Sequence, residues 1–149
     1  MRSIEVAAPS LGVQPVVVPV RATADIEPAL ESFARQPNSG LMLPSDSFTA
    51  LRGQLFADLA ARHRLPSISA QLQFPKYGGL MSYSVAINFA DQFRQAATYV
   101  DRILRGAKPG DLPVQQPSKY TLVINLRTAK TLGLAVPLPL TGLANELIE

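Results

Sequence analysis

Side chains that can bind a small anionic or zwitterionic molecule occur in three short segments of the sequence. The segments are 21–23, 45–47 and 71–74, and their candidate ligand-binding residues are Arg21, Ser45, Asp46, Ser47, Gln71 and Phe74. Segment 45–47 precedes a predicted helix, whose free N–H groups and dipole favour a carboxylate. The alternative role of Asp46 or Ser47 is to cap that helix, and a capping residue can also line a cleft. Arg21 is either a bidentate partner for an anion or an ordinary solvent-facing loop arginine.

Two aromatic residues, Phe74 and Tyr83, offer faces on which a flat or apolar ligand can stack. The alternative for Tyr83 is that it packs in the core beside Met81, as aromatic residues in strands commonly do. The residues therefore leave both roles open for Tyr83.

Residue types suited to catalysis are scarce. The chain has no cysteine and one histidine, His63, which lies at a predicted helix end where a solvated side chain interacting with the dipole is expected. No spacing suggests a metal site or a catalytic triad, and Gly78-Gly79 alone is no phosphate-binding motif. We therefore predict that the protein is not an enzyme and has no catalytic residue, metal or cofactor.

Composition is consistent with one globular α/β domain. The 149 residues are 47% hydrophobic and 17% charged, enough to bury a core. The net charge of +3 comes from scattered lysines and arginines, which argues against nucleic acid as a partner. No apolar run approaches the roughly 20 residues of a membrane span.

Hydrophobic periodicity predicts the elements that position the candidate residues. Apolar runs predict strands at 16–20, 41–43, 66–71, 80–85 and 120–124. Helical spacing predicts a helix closed by Gly12, one from Asp25 to about Gln36, one capped by Asp46 or Ser47, and one from an Asn88 N-cap to Gly106. This alternation implies an α/β fold with a mainly parallel sheet flanked by helices. In such sheets ligands bind beyond the carboxyl ends of the strands. Each of the three polar segments lies at or just beyond the carboxyl end of a predicted strand.

The C-terminal half resembles a known family. The run YVDRILRGAKPGDLPVQQP at 99–117, then LVINLRTAKTLG at 122–133 and Pro137, is similar to the C-terminal signature of two-lobed substrate-binding components of ABC transporters. The closest group is the subfamily that includes tryptophan- and tyrosine-binding members. The resemblance is strong from Gly78 onward and looser back to Leu11. Ser84 departs from the pattern, because the family usually has Gly after Ser-Tyr.

The resemblance implies a periplasmic-binding-protein type I-like, flavodoxin-like second lobe at 1–77 and 118–149. Residues 78–117 would be a strand–helix arm and hinge returning from a first lobe, and both that lobe and a signal peptide would be absent. It further implies that the intact protein holds an amino acid or similar small molecule between its lobes. Asp46 would meet the ligand's amino group, the neighbouring N–H groups would meet its carboxylate, and an ABC permease would be the partner.

Location follows from the same resemblance: periplasmic for the family, or cytoplasmic if this chain is the full gene product. The rival class is a small intracellular ligand-sensing or protein-interaction module of flavodoxin-like shape, without catalysis.

Self-association is expected if the first lobe is missing. The long helix would then have lost the sheet that covers its apolar face, and an exposed face of that size tends to associate. We predict a homodimer in which the strand–helix arm either packs on its counterpart or swaps between chains. The residues of the face are Phe89, Phe93, Ala96, Val100 and Ile103.

Overall fold

The computed structural model describes residues 2–85, 89–115 and 119–149. The chain forms two compact units, Met1–Pro37 and Asn38–Glu149. This division differs from the predicted boundaries at residues 77 and 118.

Two short helices form the first unit. Helix α1 (Arg2–Ala7) continues as a 3-10 turn and ends at Gly12, whose φ of 66° lies in the left-handed region. Helix α2 (Ile26–Ala34) follows a second 3-10 turn. At its start the Asp25 carboxylate accepts a 2.8 Å hydrogen bond from the N–H of Ala22. Both predicted helices are confirmed, although α2 ends two residues before Gln36.

The predicted strand at 16–20 is wrong. These residues have no regular secondary structure, and Val16, Val17 and Val18 are exposed. Pro15 and Pro19 lack the N–H groups that a sheet ladder needs, so an apolar run here does not suffice to build a strand.

The second unit is built on one five-stranded sheet. Its strands, in spatial as well as chain order, are β1 (Leu41–Leu43), β2 (Ser67–Ser69), β3 (Met81–Val85), β4 (Tyr120–Asn125) and β5 (Glu146–Ile148). Strands β1, β2 and β3 are parallel, β4 is antiparallel to β3, and β5 is parallel to β4. The predicted mainly parallel α/β sheet is confirmed, whereas the reversal at β4 and the strand β5 were not predicted.

Five helices accompany the sheet. They are α3 (Ser47–Leu51), α4 (Gly53–Arg62), α5 (Phe89–Leu104), α6 (Leu126–Leu132) and α7 (Leu138–Leu143). The single helix predicted after Ser47 is broken at Arg52, whose φ and ψ of −119° and 18° are not helical. Leu51, predicted to face the sheet, is therefore 84% exposed, whereas Phe56 and Leu59 on α4 are buried as expected.

The strand assigned to the predicted arm lies at the centre of the sheet. Strand β3 is hydrogen-bonded to β2 on one side and to β4 on the other. Of the described elements of the predicted arm, β3 therefore belongs to the sheet, whereas α5 does not. The predicted N-cap Asn88 falls outside the described residues, while Gly106 ends the helix at φ 99°, as predicted.

A compact junction joins the parallel and antiparallel parts of the sheet. The Phe74 ring is fully buried, and a Cβ on Gly79 would lie only 2.1 Å from it. Nearby, the Asn125 side-chain amide donates a 2.8 Å hydrogen bond to the carbonyl of Pro75, and the Thr128 hydroxyl donates a 3.0 Å bond to the carbonyl of Gly78. The turn between β2 and β3 is thereby anchored to the end of β4 and the start of α6.

Replacing Gly79 by alanine should destabilise the second unit by about 3 kcal/mol, because the added methyl overlaps a buried ring that has no room to move. Urea unfolding followed by circular dichroism measures the change. Gly142→Ala is the matched control: it lies in α7, and a Cβ there meets no atom within 4 Å. The control should leave stability unchanged or raise it by up to about 1 kcal/mol. Equal stabilities for the two variants would contradict the packing described for Phe74.

Candidate functional site

Segment 45–47 is separated from the end of β1 by Pro44 alone and is exposed. Asp46 is the N-cap of α3, and its Oδ1 accepts a 2.9 Å hydrogen bond from the N–H of Thr49. The predicted capping role of Asp46 is confirmed. Capping occupies Oδ1 and leaves the exposed carboxylate at the loop surface, so it is compatible with contact to a ligand.

Thr49 connects this loop to the end of the next strand. Its buried hydroxyl donates a 2.8 Å hydrogen bond to the carbonyl of Pro44 and accepts a 3.4 Å bond from Nε2 of Gln71. The backbone N–H of Gln71 in turn donates to Oγ of Ser69, at 3.1 Å. Asp46, Thr49, Gln71 and Ser69 therefore form a continuous hydrogen-bonded chain across the carboxyl ends of β1 and β2. We call these four residues the polar edge.

A cation lies beside the polar edge. The Arg52 guanidinium stacks 4.0 Å from the centroid of the Phe48 ring, and its Nη1 donates a 3.1 Å hydrogen bond to the Phe48 carbonyl. Phe48 follows Ser47 immediately, so this cation–π contact places a positive charge close to the loop after β1.

Ser82 continues the row of buried hydroxyls onto β3. It pairs in register with Ser69, so the two side chains share one face of the sheet. Ser82 is fully buried, and among the residues that the structure describes neither its Oγ nor that of Ser84 has a hydrogen-bond partner. A buried hydroxyl without a partner loses its hydration without compensation, which makes this row unusually polar for a sheet interior.

Tyr83 alternates with Ser82 and therefore points to the opposite face of the sheet. Its ring stacks on that of Tyr120, with centroids 5.3 Å apart and planes 9° apart. The two residues are 52% and 50% exposed. Tyr83 is thus neither buried beside Met81 nor grouped with the polar edge, and its outer ring face remains accessible.

The remaining two candidates lie elsewhere. Phe74 supports the junction with Gly79 and is fully buried, so its ring offers no face to a ligand in this structure. Arg21 belongs to the first unit, where its backbone N–H donates a 3.2 Å hydrogen bond to Asp25. The candidates brought together by the structure are therefore Ser45, Asp46, Ser47 and Gln71.

Several residues of this region were not identified from the sequence: Phe48, Thr49, Arg52, Ser69, Ser82 and Tyr120. Thr49 stands three positions after Asp46, the spacing at which an N-cap accepts a backbone hydrogen bond, so capping logic could have found it. Arg52 lies four positions after Phe48, a helical contact spacing. Tyr120 carries no local signal, because its partner Tyr83 is 37 positions away and their contact depends on the strand register.

Within residues 2–85, 89–115 and 119–149, no group of three or more His, Asp or Glu side chains is placed to hold a metal ion. Over the same ranges, no helix has the length and hydrophobicity to cross a membrane. His63 is half-buried at the end of α4 rather than solvated, and its Nε2 has no hydrogen-bond partner.

Polar residues gathered at the carboxyl ends of parallel strands are characteristic of small-molecule binding domains of the open α/β class. Comparison with family models gives a match to the ABC transporter substrate binding protein family over residues 1–148. The chain belongs to this family, which is a family of substrate-binding rather than catalytic proteins.

Solved structures share the fold. A conserved domain protein from Vibrio cholerae matches with a TM-score of 0.80 at 24% identity, over 98% of this chain and 48% of its own. An ABC domain from Streptococcus pneumoniae, solved in complex with L-Trp, matches with a TM-score of 0.81 at 22% identity, over 99% and 49%. A substrate-binding protein with adhesive properties from Clostridium difficile, in a ligand-free open form, matches with a TM-score of 0.69 at 18% identity, over 99% and 48%.

The chain spans about half the length of each of these three structures. No curated protein matches the sequence.

Removing the hydroxyl of Ser82 should leave stability unchanged or raise it by up to about 1 kcal/mol, because a buried donor without a partner is lost. Ser69→Ala is the matched control on the adjacent strand. It removes the acceptor for the Gln71 N–H and should cost about 1–2 kcal/mol. Chemical denaturation of both variants measures the difference. A larger loss for Ser82→Ala than for Ser69→Ala would show that the Ser82 hydroxyl has a partner.

Proposed function

We propose that the chain contributes one lobe of a solute-binding component of an ABC transport system. The observation that carries this proposal is the polar edge, which joins the loop after β1 to the end of β2 at the place where open α/β sheets bind ligands. Family membership supports transport as the process that the site serves. In the intact protein, the first lobe would close over the ligand, and the closed form would be presented to a membrane permease.

The proposed ligand is an amino acid or a similar zwitterion. The Asp46 carboxylate would attract an ammonium group, while the exposed hydroxyls of Ser45 and Ser47 would donate to a carboxylate. The positive charge of Arg52 lies close enough to favour the same carboxylate. The L-Trp complex of the pneumococcal structure is consistent with this class of ligand.

Of three further predicted site residues, the proposal keeps two as ligand contacts and leaves one out. Tyr83 remains a candidate contact through its exposed face, and Arg21 remains one from the first unit. Phe74 is left out as a direct contact, because its ring is enclosed by the junction. The division of the protein into a second lobe and an arm, with a first lobe elsewhere, stays part of the proposal, as does a periplasmic location.

Self-association through α5 is the second part of the proposal. The described side chains of the predicted interface, Phe93, Ala96, Val100 and Ile103, are all exposed. Phe89 was also predicted there, and its side chain falls outside the described part of the structure. An exposed apolar face of this length supports association with another copy.

Ligand binding can be tested by NMR titration of the isotope-labelled chain with each common L-amino acid. One lobe supplies only part of a cleft, so we expect a Kd of about 1 mM or weaker for the best ligand, equivalent to roughly −4 kcal/mol. Chemical-shift changes should centre on residues 45–49, 52 and 71, and a saturable change at Arg21 or Tyr83 would identify that residue as a further contact. If no amino acid produces saturable chemical-shift changes at up to about 20 mM, which is 20 times the expected Kd, an amino-acid ligand is contradicted.

Two substitutions separate the binding role of Asp46 from its capping role. Asp46→Asn keeps a capping oxygen but removes the charge, so the melting temperature should hold while the affinity for the amino acid falls about tenfold or more, as expected for loss of a charged hydrogen bond. Asp46→Ala removes both, and should also lose about 1 kcal/mol of stability. If Asp46→Asn binds as well as the unmodified chain, the carboxylate is only a helix cap.

A further inference from the structure

The start of α4 lies against the turn between β2 and β3. Gly53, the first residue of α4, is buried. A Cβ at this position would lie 3.0 Å from Oε1 of Gln71 and 3.2 Å from Cε2 of Tyr77. Both distances are shorter than the roughly 3.5 Å of an ordinary contact between heavy atoms. The Gln71 carboxamide and the Tyr77 ring therefore occupy the space that a side chain at Gly53 would need.

This close approach explains why a glycine fits at the start of α4. Gly53 does not have a positive φ, so its backbone geometry does not require glycine. Glycine is also a poor helix former, and Gly53 stands where the single predicted helix is broken after Arg52. The property that distinguishes glycine here is its lack of a side chain, which leaves room for Gln71.

The carboxamide of Gln71 is held between two helices. Its Nε2 donates a 3.4 Å hydrogen bond to the Thr49 hydroxyl on α3, whereas its Oε1 lies over Gly53 on α4. The neighbouring Gln54 fastens α4 to the same turn, because its Nε2 donates a 3.2 Å hydrogen bond to the carbonyl of Tyr77. The amide nitrogen of Gln71 carries two protons, and the bond to Thr49 uses only one of them.

We propose that Gly53 is a positioning residue of the polar edge, which holds the Gln71 carboxamide so that its second amide proton is available to a ligand. The acceptor is the carboxylate of the amino acid, the group that the hydroxyls of Ser45 and Ser47 and the charge of Arg52 also favour. The identity of the acceptor rests on the proposed function, whereas the hold of Gly53 on Gln71 is a property of the chain alone.

The substitution Gly53→Ala separates the orientation of Gln71 from the stability of the fold. The added methyl meets the far end of a flexible glutamine and the ring of Tyr77, which is 39% exposed, so both can move aside at little cost. Alanine also favours the helix more than glycine does. We therefore expect an unchanged or higher melting temperature together with a displaced carboxamide.

NMR relaxation of the glutamine side-chain amides tests the positioning without a ligand. In the unmodified chain the Gln71 side-chain amide should have a higher order parameter than that of the exposed Gln73. Gly53→Ala should lower the Gln71 value toward that of Gln73. Gly142→Ala is the matched control, because a Cβ there meets no atom within 4 Å, and should leave the value unchanged. A Gln71 amide as mobile as Gln73 in the unmodified chain, or unaffected by Gly53→Ala, would overturn the proposal.

Amino-acid titration of a double-mutant cycle tests whether Gly53 acts through Gln71. Gln71→Ala should weaken binding of the best ligand about tenfold, as expected for the loss of a hydrogen bond to a charged group. Gly53→Ala should weaken it less, about threefold, because the amide is displaced rather than removed. The two together should bind no more weakly than Gln71→Ala alone.

Additive losses in this cycle would overturn the proposal, since Gly53 would then act independently of Gln71. If the unmodified chain binds no amino acid, the proposed function fails, and the order parameters still decide whether Gly53 positions Gln71.

Discussion

The packing of Phe74 against Gly79 is the contact on which the second unit depends most. Strand β3 begins two residues after Gly79, and a side chain at Gly79 would displace either the ring or the strand. The same turn is held by Asn125 and Thr128, and the Asn125 backbone N–H donates a 2.8 Å hydrogen bond to the Leu80 carbonyl. The order of β2, β3 and β4 in the sheet is therefore fixed at one buried point. A change in backbone conformation or in side-chain volume cannot be accommodated there.

This junction and the polar edge lie at opposite ends of the parallel strands. The junction holds the start of β3 and the end of β4, whereas Asp46 and Gln71 follow the carboxyl ends of β1 and β2. Because the contacts that anchor the strands are concentrated at one end, the other end can present a charged carboxylate and hydroxyls to solvent without loosening the sheet. The exposed polar groups of segment 45–47 are tolerable at that end because the junction fixes the strand order elsewhere.

Sequence patterns predicted those elements whose signals are local. The strand at 41–43, the helix end at Gly106 and the cap by Asp46 follow from apolar runs, a left-handed glycine and capping chemistry, each complete within a few residues. The failures need non-local information. A valine run at 16–20 predicts a strand only if a partner is available, and Tyr120 joins Tyr83 only through the register of β3 and β4. Phe74 shows the same limit, because whether an aromatic ring contacts a ligand or fills a core depends on Gly79 lying over it.

Helix α5 has a strong hydrophobic pattern, and among the described residues nothing covers its apolar face. A helix of 16 residues is of marginal stability by itself in water, and most helices in proteins are stabilised by packing of an apolar face. The exposed apolar face of α5 thus implies that the stability of the helix depends on whatever buries that face. The solved structures that share this fold are about twice as long as the chain, so another part of the same polypeptide is available there to bury the corresponding face. The proposed ligand binding at the polar edge and the proposed association through α5 would therefore be separate properties, one determined by the carboxyl ends of the strands and the other by a helix outside the sheet.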